Sequence, residues 1–301
     1  MTVLSGETMS LRGHAGRDVQ RRLLLAAGVT GFTLSLELVG GLLANSLALL
    51  SDAAHVFLDL LAIGLALYAA RICRMPATSK FSYGMHRAEI LAALVNGLTL
   101  VALACAILFE AGRRLLSSPE VRGLEMLLVA GAGLAANLIC IGLLHGHRDL
   151  NIRGAYLHVL GDALSSMAVL LGAFLILATG ERRIDPALSA LIGLVIIFGA
   201  GKLVKASAEI LLERTPRDID PAKVKKRLLR VAGVRSLHDL HIWSLCSHVR
   251  AMSAHIVLDE EGQRNRERVS HILSGLLRRE YNIVHTTLQF EEKKCSGPHE
   301  H

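Results

Sequence analysis

Aromatic residues and closely spaced cysteines are both scarce in this sequence. Phe, Trp and Tyr make up only 4% of the 301 residues, so the 52% hydrophobic content is mainly Leu, Ala, Val and Ile. The five cysteines are far apart and include no C-x-x-C motif: Cys73, Cys105, Cys140, Cys246 and Cys295. This spacing argues against a disulfide framework and against a zinc ribbon built from thiolates.

Charged side chains are scarce before about residue 210 and dense after it. The mean hydropathy is +0.44 and the formal net charge is +7. This asymmetry excludes a purely soluble enzyme, a disordered chain and a fibrous protein, and it predicts a membrane domain followed by a soluble one. Met1–Arg22 is polar with scattered Arg residues and lacks the pattern of a secretory signal peptide.

Six apolar runs are long enough to form membrane-spanning helices, each of which needs about 20 residues. They are Leu23–Leu43, Ala48–Ala70, Ala88–Ala111, Leu124–Leu144, Ala155–Ala178 and Pro186–Leu203. With the N-terminus inside, the tail carries four Arg residues, the inner loops carry six basic residues against five in the outer loops, and the segment after the sixth run is strongly basic, so both termini are expected in the cytoplasm. We therefore expect an integral multi-pass protein of the cell membrane, with a cytoplasmic tail over residues 1–20 and a six-helix transmembrane transport domain over 21–208.

The remaining residues, 209–301, predict a small α+β cytoplasmic domain. Asp220 can cap a helix that begins at Pro221 and runs to about Val231. Two strands, a helix and a closing strand are predicted at Ser236–Leu245, Arg250–Asp259, Arg264–Glu280 and Asn282–Phe290. The Arg residues of the second helix are predicted to form a solvent-exposed face. Because no recognised nucleic-acid module accompanies them, no nucleic-acid partner is expected.

Ionisable residues inside a membrane span are costly and usually mark a pathway. The second run contains His55 and Asp59, and the fifth contains His158 and Asp162. In each pair the residues are four apart, so both side chains lie on one helix face. Because the two helices are antiparallel, Asp59 and His158 are expected at one level, and so are His55 and Asp162. Two imidazoles and two carboxylates form a complete tetrahedral set for zinc, with cadmium and cobalt as further candidates, whereas magnesium and calcium prefer all-oxygen sites.

Four other polar positions in the spans have less specific interpretations. Glu37, Asn96 and Asn137 are interpreted as hydrogen-bonding residues between helices rather than metal ligands. Asp52 shares the helix stripe of His55 and Asp59, so it either lines an outer exit or lies in the membrane interface beside the turn that precedes it.

Four segments resemble the signatures of the cation diffusion facilitators, and the resemblance extends from about Arg21 to Phe290. They are S-L-A-L-L-S-D-A-A-H-V-F-L-D (Ser46–Asp59), F-S-Y-G-M-H-R-A-E (Phe81–Glu89), A-Y-L-H-V-L-G-D-A-L-S-S (Ala155–Ser166) and S-L-H-D-L-H-I-W-S-L (Ser236–Leu245). The resemblance implies six spans, a metallochaperone-like (ferredoxin-like) C-terminal domain, a homodimer formed through that domain, and export of divalent metal against proton entry. The two-His, two-Asp composition is similar to that of the zinc-transporting branch.

The resemblance also implies a regulatory zinc site in the soluble domain, at His238, His255 and His285. Some family members place an Asp two residues after the last of these His residues, where this chain has Thr287. Glu291, Cys295 or a water would then complete the site. The resemblance also offers an interpretation of His145 and His147 as a shortened form of the His-rich loop of some family members.

The combined prediction is a proton-coupled antiporter that exports divalent metal, with zinc as its main substrate, by alternating access. A membrane-bound metalloenzyme is the first rival, but no H-E-x-x-H motif is present and the two His/Asp pairs already fill a tetrahedral shell. The second rival is a metal sensor or scaffold whose intramembrane metal site is structural. Measuring metal flux separates this rival from a transporter.

Overall fold

A computed structural model describes the backbone of residues 4–145 and 150–292, and the side chains of residues 24–145 and 155–292. Its first part consists of long helices that follow the apolar runs. They are α1 (Leu4–Ala44), α2 (Leu47–Cys73), α3 (Arg87–Ser117), α4 (Gly123–Leu144), α5 (Leu150–Thr179) and α6 (Ile184–Leu211). Within the described residues, six helices are long and apolar enough to cross a membrane.

Many large apolar side chains of these helices point outward. Phe109 on α3 is 76% exposed and Phe198 on α6 is 68% exposed. In an apolar 18-residue stretch of each of the six helices, at most 39% of the residues are buried. A water-soluble protein rarely exposes so much contiguous apolar surface. The helices are therefore suited to a lipid environment, where outward-facing Leu and Phe cost nothing in solvation.

The described residues form two compact units, of which the first contains residues up to Leu61 together with Leu98–Gly201. In this unit α1, α4 and α5 pack against one another, and Gly40 of α1 lies so close to Val129 of α4 that a Cβ would clash. Small residues at such crossings allow membrane helices to approach closely. Ala44, Ala48, Met126 and Val169 are fully buried in the apolar core at one end of the unit.

The second unit contains Ala62–Gly97 and the residues from Lys202 onward. Its soluble part consists of α7 (Pro221–Leu228), β1 (Val234–Ser244), β2 (Arg250–Leu258), α8 (Glu260–Arg264), α9 (Arg266–Tyr281) and β3 (Ile283–Glu291). The sheet has the order β1-β2-β3, with β1 antiparallel and β3 parallel to β2. A parallel pair needs a crossover, which α9 supplies, and Leu273, Leu277 and Ile256 lie in the core between helix and sheet.

The observed architecture is the predicted one, a six-helix apolar region followed by a small α+β domain. The boundaries differ at several helix ends, most clearly at α3, which continues to Ser117, and at α7, which ends at Leu228. The predicted helix over Arg264–Glu280 is divided, because Asn265 ends α8 and precedes α9.

Candidate metal centres

The first candidate centre lies where α2 faces α5. His55 Nε2 is 3.5 Å from Asp59 Oδ2, and His158 Nε2 is 3.7 Å from both Asp59 Oδ2 and Asp162 Oδ2. Asp59 thus lies between two imidazoles from different helices, at the level of His158 as the antiparallel arrangement requires. The helical repeat places the two members of each pair one turn apart on one face, and the packing of α2 beside α5 brings Asp59 to His158. These three distances link the four side chains in the order His55, Asp59, His158 and Asp162.

A cavity of about 500 Å³ opens beside this centre. His55, His158 and Asp162 line it together with apolar residues of α6 that include Leu191 and Val195. Nδ1 of His55 is buried and has no hydrogen-bond partner among the described residues, and His158 is 40% exposed. The centre is therefore accessible from one side, and Nδ1 of His55 is available for one more interaction.

Asp52 lies one turn before His55 and is buried. Its Oδ1 accepts a hydrogen bond of 2.6 Å from Ser165 Oγ of α5. Only 3% of the residue is exposed. Asp52 therefore links α2 to α5 within the unit.

Asp185, at the start of α6, supports the helix of the candidate centre, and the sequence pattern did not single it out. It is completely buried, and its carboxylate accepts hydrogen bonds from Ser46 Oγ (2.5 Å), the Leu47 N–H (2.8 Å) and the Ala48 N–H (3.2 Å). These groups form the N-terminus of α2, whose first N–H groups have no partner within the helix. Asp185 thus fixes the start of the helix that carries His55 and Asp59.

The second candidate centre lies in the soluble domain, on β1, β2 and the end of β3. Glu291 Oε2 is 3.3 Å from His238 Nε2, and Glu291 Oε1 is 3.1 Å from His255 Nδ1. One ligand atom from each of these three residues lies within 4.8 Å of the others, and Glu291 is 6% exposed. Nδ1 of His238 is buried without a hydrogen-bond partner among the described residues. Two imidazoles and a carboxylate suit zinc, which accepts a water or another ligand in a fourth position.

A bulge in β1 shapes the rim of this second centre. Asp239 adopts a positive φ of 51°, and the pairing of β1 with β2 shifts between His238 and His241. His241 Nε2 donates to Asp239 Oδ1 over 2.9 Å, and this hydrogen bond holds the pKa of Asp239 below its usual range. Asp239 Oδ2 also lies 3.6 Å from His255 Nε2, so a second anionic group faces the cluster.

His285 does not lie in the cluster that contains His238 and His255. It pairs with Ala251 of β2, whereas the β3 residue opposite His255 is Gln289, about 13 Å further along the strand. The ring of His285 is exposed and meets Tyr83 edge-on at 5.6 Å. The structure therefore assembles the candidate site from His238, His255 and Glu291.

The other residues considered from the sequence are not part of this cluster. Cys295 and His147 lie outside the described residues, and the described His145 stacks at a tilt on Tyr156.

Comparison with known protein families gives a direct match over nearly the whole chain. Residues 23–212 match the cation efflux transmembrane domain, and residues 216–293 match the cation efflux protein cytoplasmic domain. The chain belongs to the cation efflux family. It is therefore an integral multi-pass membrane transporter and not an enzyme, as predicted.

Several curated relatives of this cation efflux protein align over most of their length. It is 42% identical to the metal cation efflux system protein CzcD of Cupriavidus metallidurans, over 94% of this chain and 89% of that protein. It is 38% identical to the zinc transporter ZitB of Escherichia coli (92% and 89%) and 35% identical to a cadmium, cobalt and zinc/H(+)-K(+) antiporter of Bacillus subtilis (87% and 86%). A solved structure, the metal-bound C-terminal domain of the CzcD transporter, is 38% identical and covers 24% of this chain and 99% of its own, with a TM-score of 0.22.

Proposed function

We propose that this cation efflux protein exports divalent metal from the cytoplasm in exchange for protons, with zinc as its main substrate and cadmium and cobalt as further substrates. The observation that carries the proposal is the row of contacts, 3.5–3.7 Å each, that links His55, Asp59, His158 and Asp162 of α2 and α5. The names of the relatives support both the metal substrates and the exchange for protons, since one is a zinc transporter and another a cadmium, cobalt and zinc/H(+)-K(+) antiporter. The transport function belongs to residues 21–208.

The ligand chemistry accounts for proton exchange. Zinc binds only when both imidazoles are neutral and both carboxylates are ionised, so metal and protons compete for the same side chains. Imidazole titrates near pH 6.5, within the range of physiological proton gradients. Zinc arriving from the cytoplasm displaces protons, and protons arriving from the other side displace zinc. Alternating access exposes the four ligands to each side in turn.

The soluble domain, residues 209–301, supplies dimerisation and regulation in this proposal. The match to a cytoplasmic domain supports a cytoplasmic C-terminus, and an even number of spans then supports a cytoplasmic N-terminus. The basic residues near the span ends agree with this orientation in the cell membrane. His238, His255 and Glu291 are proposed to bind a regulatory zinc ion, and the protein acts as a homodimer joined through this domain.

The test of transport is metal flux in proteoliposomes that contain a zinc-sensitive dye. Under an imposed pH gradient, the wild-type protein is expected to move zinc. Asp162→Asn removes one ligand charge with little change in shape, so flux is expected to fall by about tenfold or more. The matched control is Glu125→Gln, which alters an exposed carboxylate at the start of α4, away from the cavity.

Two outcomes would overturn parts of the proposal. Wild-type protein that binds zinc but moves none would identify a metal sensor or scaffold with a structural intramembrane site. Equal flux in wild type and Asp162→Asn would remove Asp162 from the transport site.

A further inference from the structure

One buried carboxyl group in the membrane helices lies outside the four-ligand centre and lacks a complete set of partners. Glu37 on α1 is 3% exposed, and its Oε2 atom has no hydrogen-bond partner among the described residues. It lies near the middle of the apolar part of α1, Leu24–Ala44. An ionised carboxylate at such a position is costly unless a cation or a proton neutralises it.

The carboxyl group of Glu37 lies against α4 at a glycine, Gly133. A Cβ added to Gly133 of α4 would lie 2.8 Å from Glu37 Oε1 and 3.8 Å from Ser166 Oγ of α5. One turn further along α4, Asn137 Nδ2 donates to Ser166 Oγ over 3.2 Å. The absence of a side chain at Gly133 therefore lets the carboxyl group reach a polar point between α4 and α5.

The charged groups that act on Glu37 from the neighbouring helices are themselves acidic. They are Asp52 of α2 and Asp162 of α5, while α4 presents the uncharged Gly133 and Asn137. Three carboxyl groups in a low-dielectric interior are not all ionised together, because their repulsion adds to the cost of burial. Asp52 has the hydroxyl of Ser165 as a donor, and Asp162 has the imidazole of His158 beside it. Glu37 has neither, so its ionised form is the one that its neighbours stabilise least.

We propose that Glu37 is a proton-carrying residue of transport, separate from the metal ligands. This inference rests on the proposed function. When zinc binds at the four-ligand centre, its two positive charges favour ionisation of the nearby Glu37 carboxyl group. The O–H bond breaks, its electron pair stays on the carboxylate, and the proton passes to solvent water. When a proton returns to Glu37, the carboxylate charge that favoured the metal is lost and zinc release becomes easier. By linkage, the effect of metal on the proton equals the effect of the proton on the metal.

The test is the number of protons released per zinc ion bound by the purified full-length protein. Zinc titration calorimetry in two buffers of different ionisation enthalpy, at several values between about pH 6 and 8, gives this number. Glu37→Gln has the same shape but no titrating group, so it is expected to bind zinc with the wild-type stoichiometry and to release fewer protons, by up to about one per transport site. Its zinc affinity is expected to depend less steeply on pH.

A pair of glycine variants tests the geometry without altering any titrating residue. Gly133→Ala is expected to fold, because the atom it meets is the end of a flexible side chain, but to displace the Glu37 carboxyl group and change proton release. Gly131→Ala is the matched control, two residues away on α4, where a Cβ meets Leu170 at an ordinary 3.7 Å. It is expected to release protons as wild type does.

The results separate this inference from the proposed function. If Asp162→Asn binds as much zinc as wild type, the transport site itself is wrong. If Asp162→Asn loses one zinc ion per chain while Glu37→Gln and Gly133→Ala release as many protons as wild type, the transport site stands and the role of Glu37 is refuted.

Discussion

At the scale of single residues, Asp185 holds the start of α2 in place through three buried hydrogen bonds. Its carboxylate accepts from Ser46 Oγ and from the N–H groups of Leu47 and Ala48, and all these groups are buried. Removing the acceptor leaves buried donors unsatisfied, at a cost of roughly 3 kcal/mol. We predict that Asp185→Ala lowers the thermal midpoint and weakens zinc binding at the α2–α5 centre, because the start of α2 loses its fixed position.

Asp185→Asn is expected to be intermediate, since the amide keeps one acceptor oxygen. Glu125→Ala is the control, because it removes an exposed carboxylate from the first turn of α4. Differential scanning fluorimetry and zinc titration of the three variants provide the measurement. Wild-type stability and affinity in Asp185→Ala would show that the buried hydrogen bonds have no such role.

Single residues also show what a sequence pattern can and cannot reveal. The helical repeat places His55 and Asp59 on one face of α2, and His158 and Asp162 on one face of α5, because both members of each pair lie on one helix. The role of Asp185 does not follow, because Asp-Pro at the start of a helix is typical of a local cap. Its partners lie 137 to 139 residues earlier in the chain, and only the packing of α6 beside the α1–α2 turn brings them together.

At the scale of secondary-structure elements, two glycines determine how α8 packs onto the start of β1. Gly233 has a φ of 90°, and a Cβ on it would lie 2.8 Å from the Cα of Gly262. A Cβ on Gly262 would clash with the Gly233 carbonyl oxygen, which cannot move away as a flexible side chain can. We predict that Gly262→Ala destabilises the soluble domain by about 1–3 kcal/mol through overpacking.

Gly275→Ala is the matched control in the same domain. It lies inside α9 with only the end of Arg279 nearby, so an alanine there is expected to stabilise the helix by about 0.5–1 kcal/mol. Urea unfolding of the full-length protein followed by the fluorescence of Trp243, the single tryptophan, reports on this domain. Equal midpoints for Gly262→Ala and wild type would contradict the close packing of α8.

The elements were predictable to different degrees, for physical reasons. Long apolar runs and alternating strands give strong local signals, so the helix and strand order is evident from the sequence. The parallel pairing of β3 with β2 is a tertiary property, and it decides which β3 residue reaches His255. That register places Gln289 opposite His255 and brings Glu291 to the metal cluster, while His285 lies near Tyr83.

At the scale of the whole molecule, the two candidate metal centres belong to different compact units and share no residue. Substitutions at sites with no common partners usually act independently. Dialysis of the full-length protein against zinc, followed by elemental analysis, is therefore expected to show one zinc ion fewer per chain in Asp162→Asn and one fewer in Glu291→Gln. The double variant is expected to lose both ions, and His285→Ala to lose none, because His285 lies outside the cluster.

Chelator treatment extends this prediction to stability. Removing zinc is expected to lower the urea midpoint reported by Trp243 in wild type and Asp162→Asn, because a metal that binds only the folded domain stabilises it by mass action. In Glu291→Gln the midpoint is expected to be the same with and without chelator. A chelator effect that persists in Glu291→Gln but vanishes in His285→Ala would move the site to His285. Loss of both zinc ions in Glu291→Gln alone would instead show that occupancy of the soluble centre controls the membrane centre.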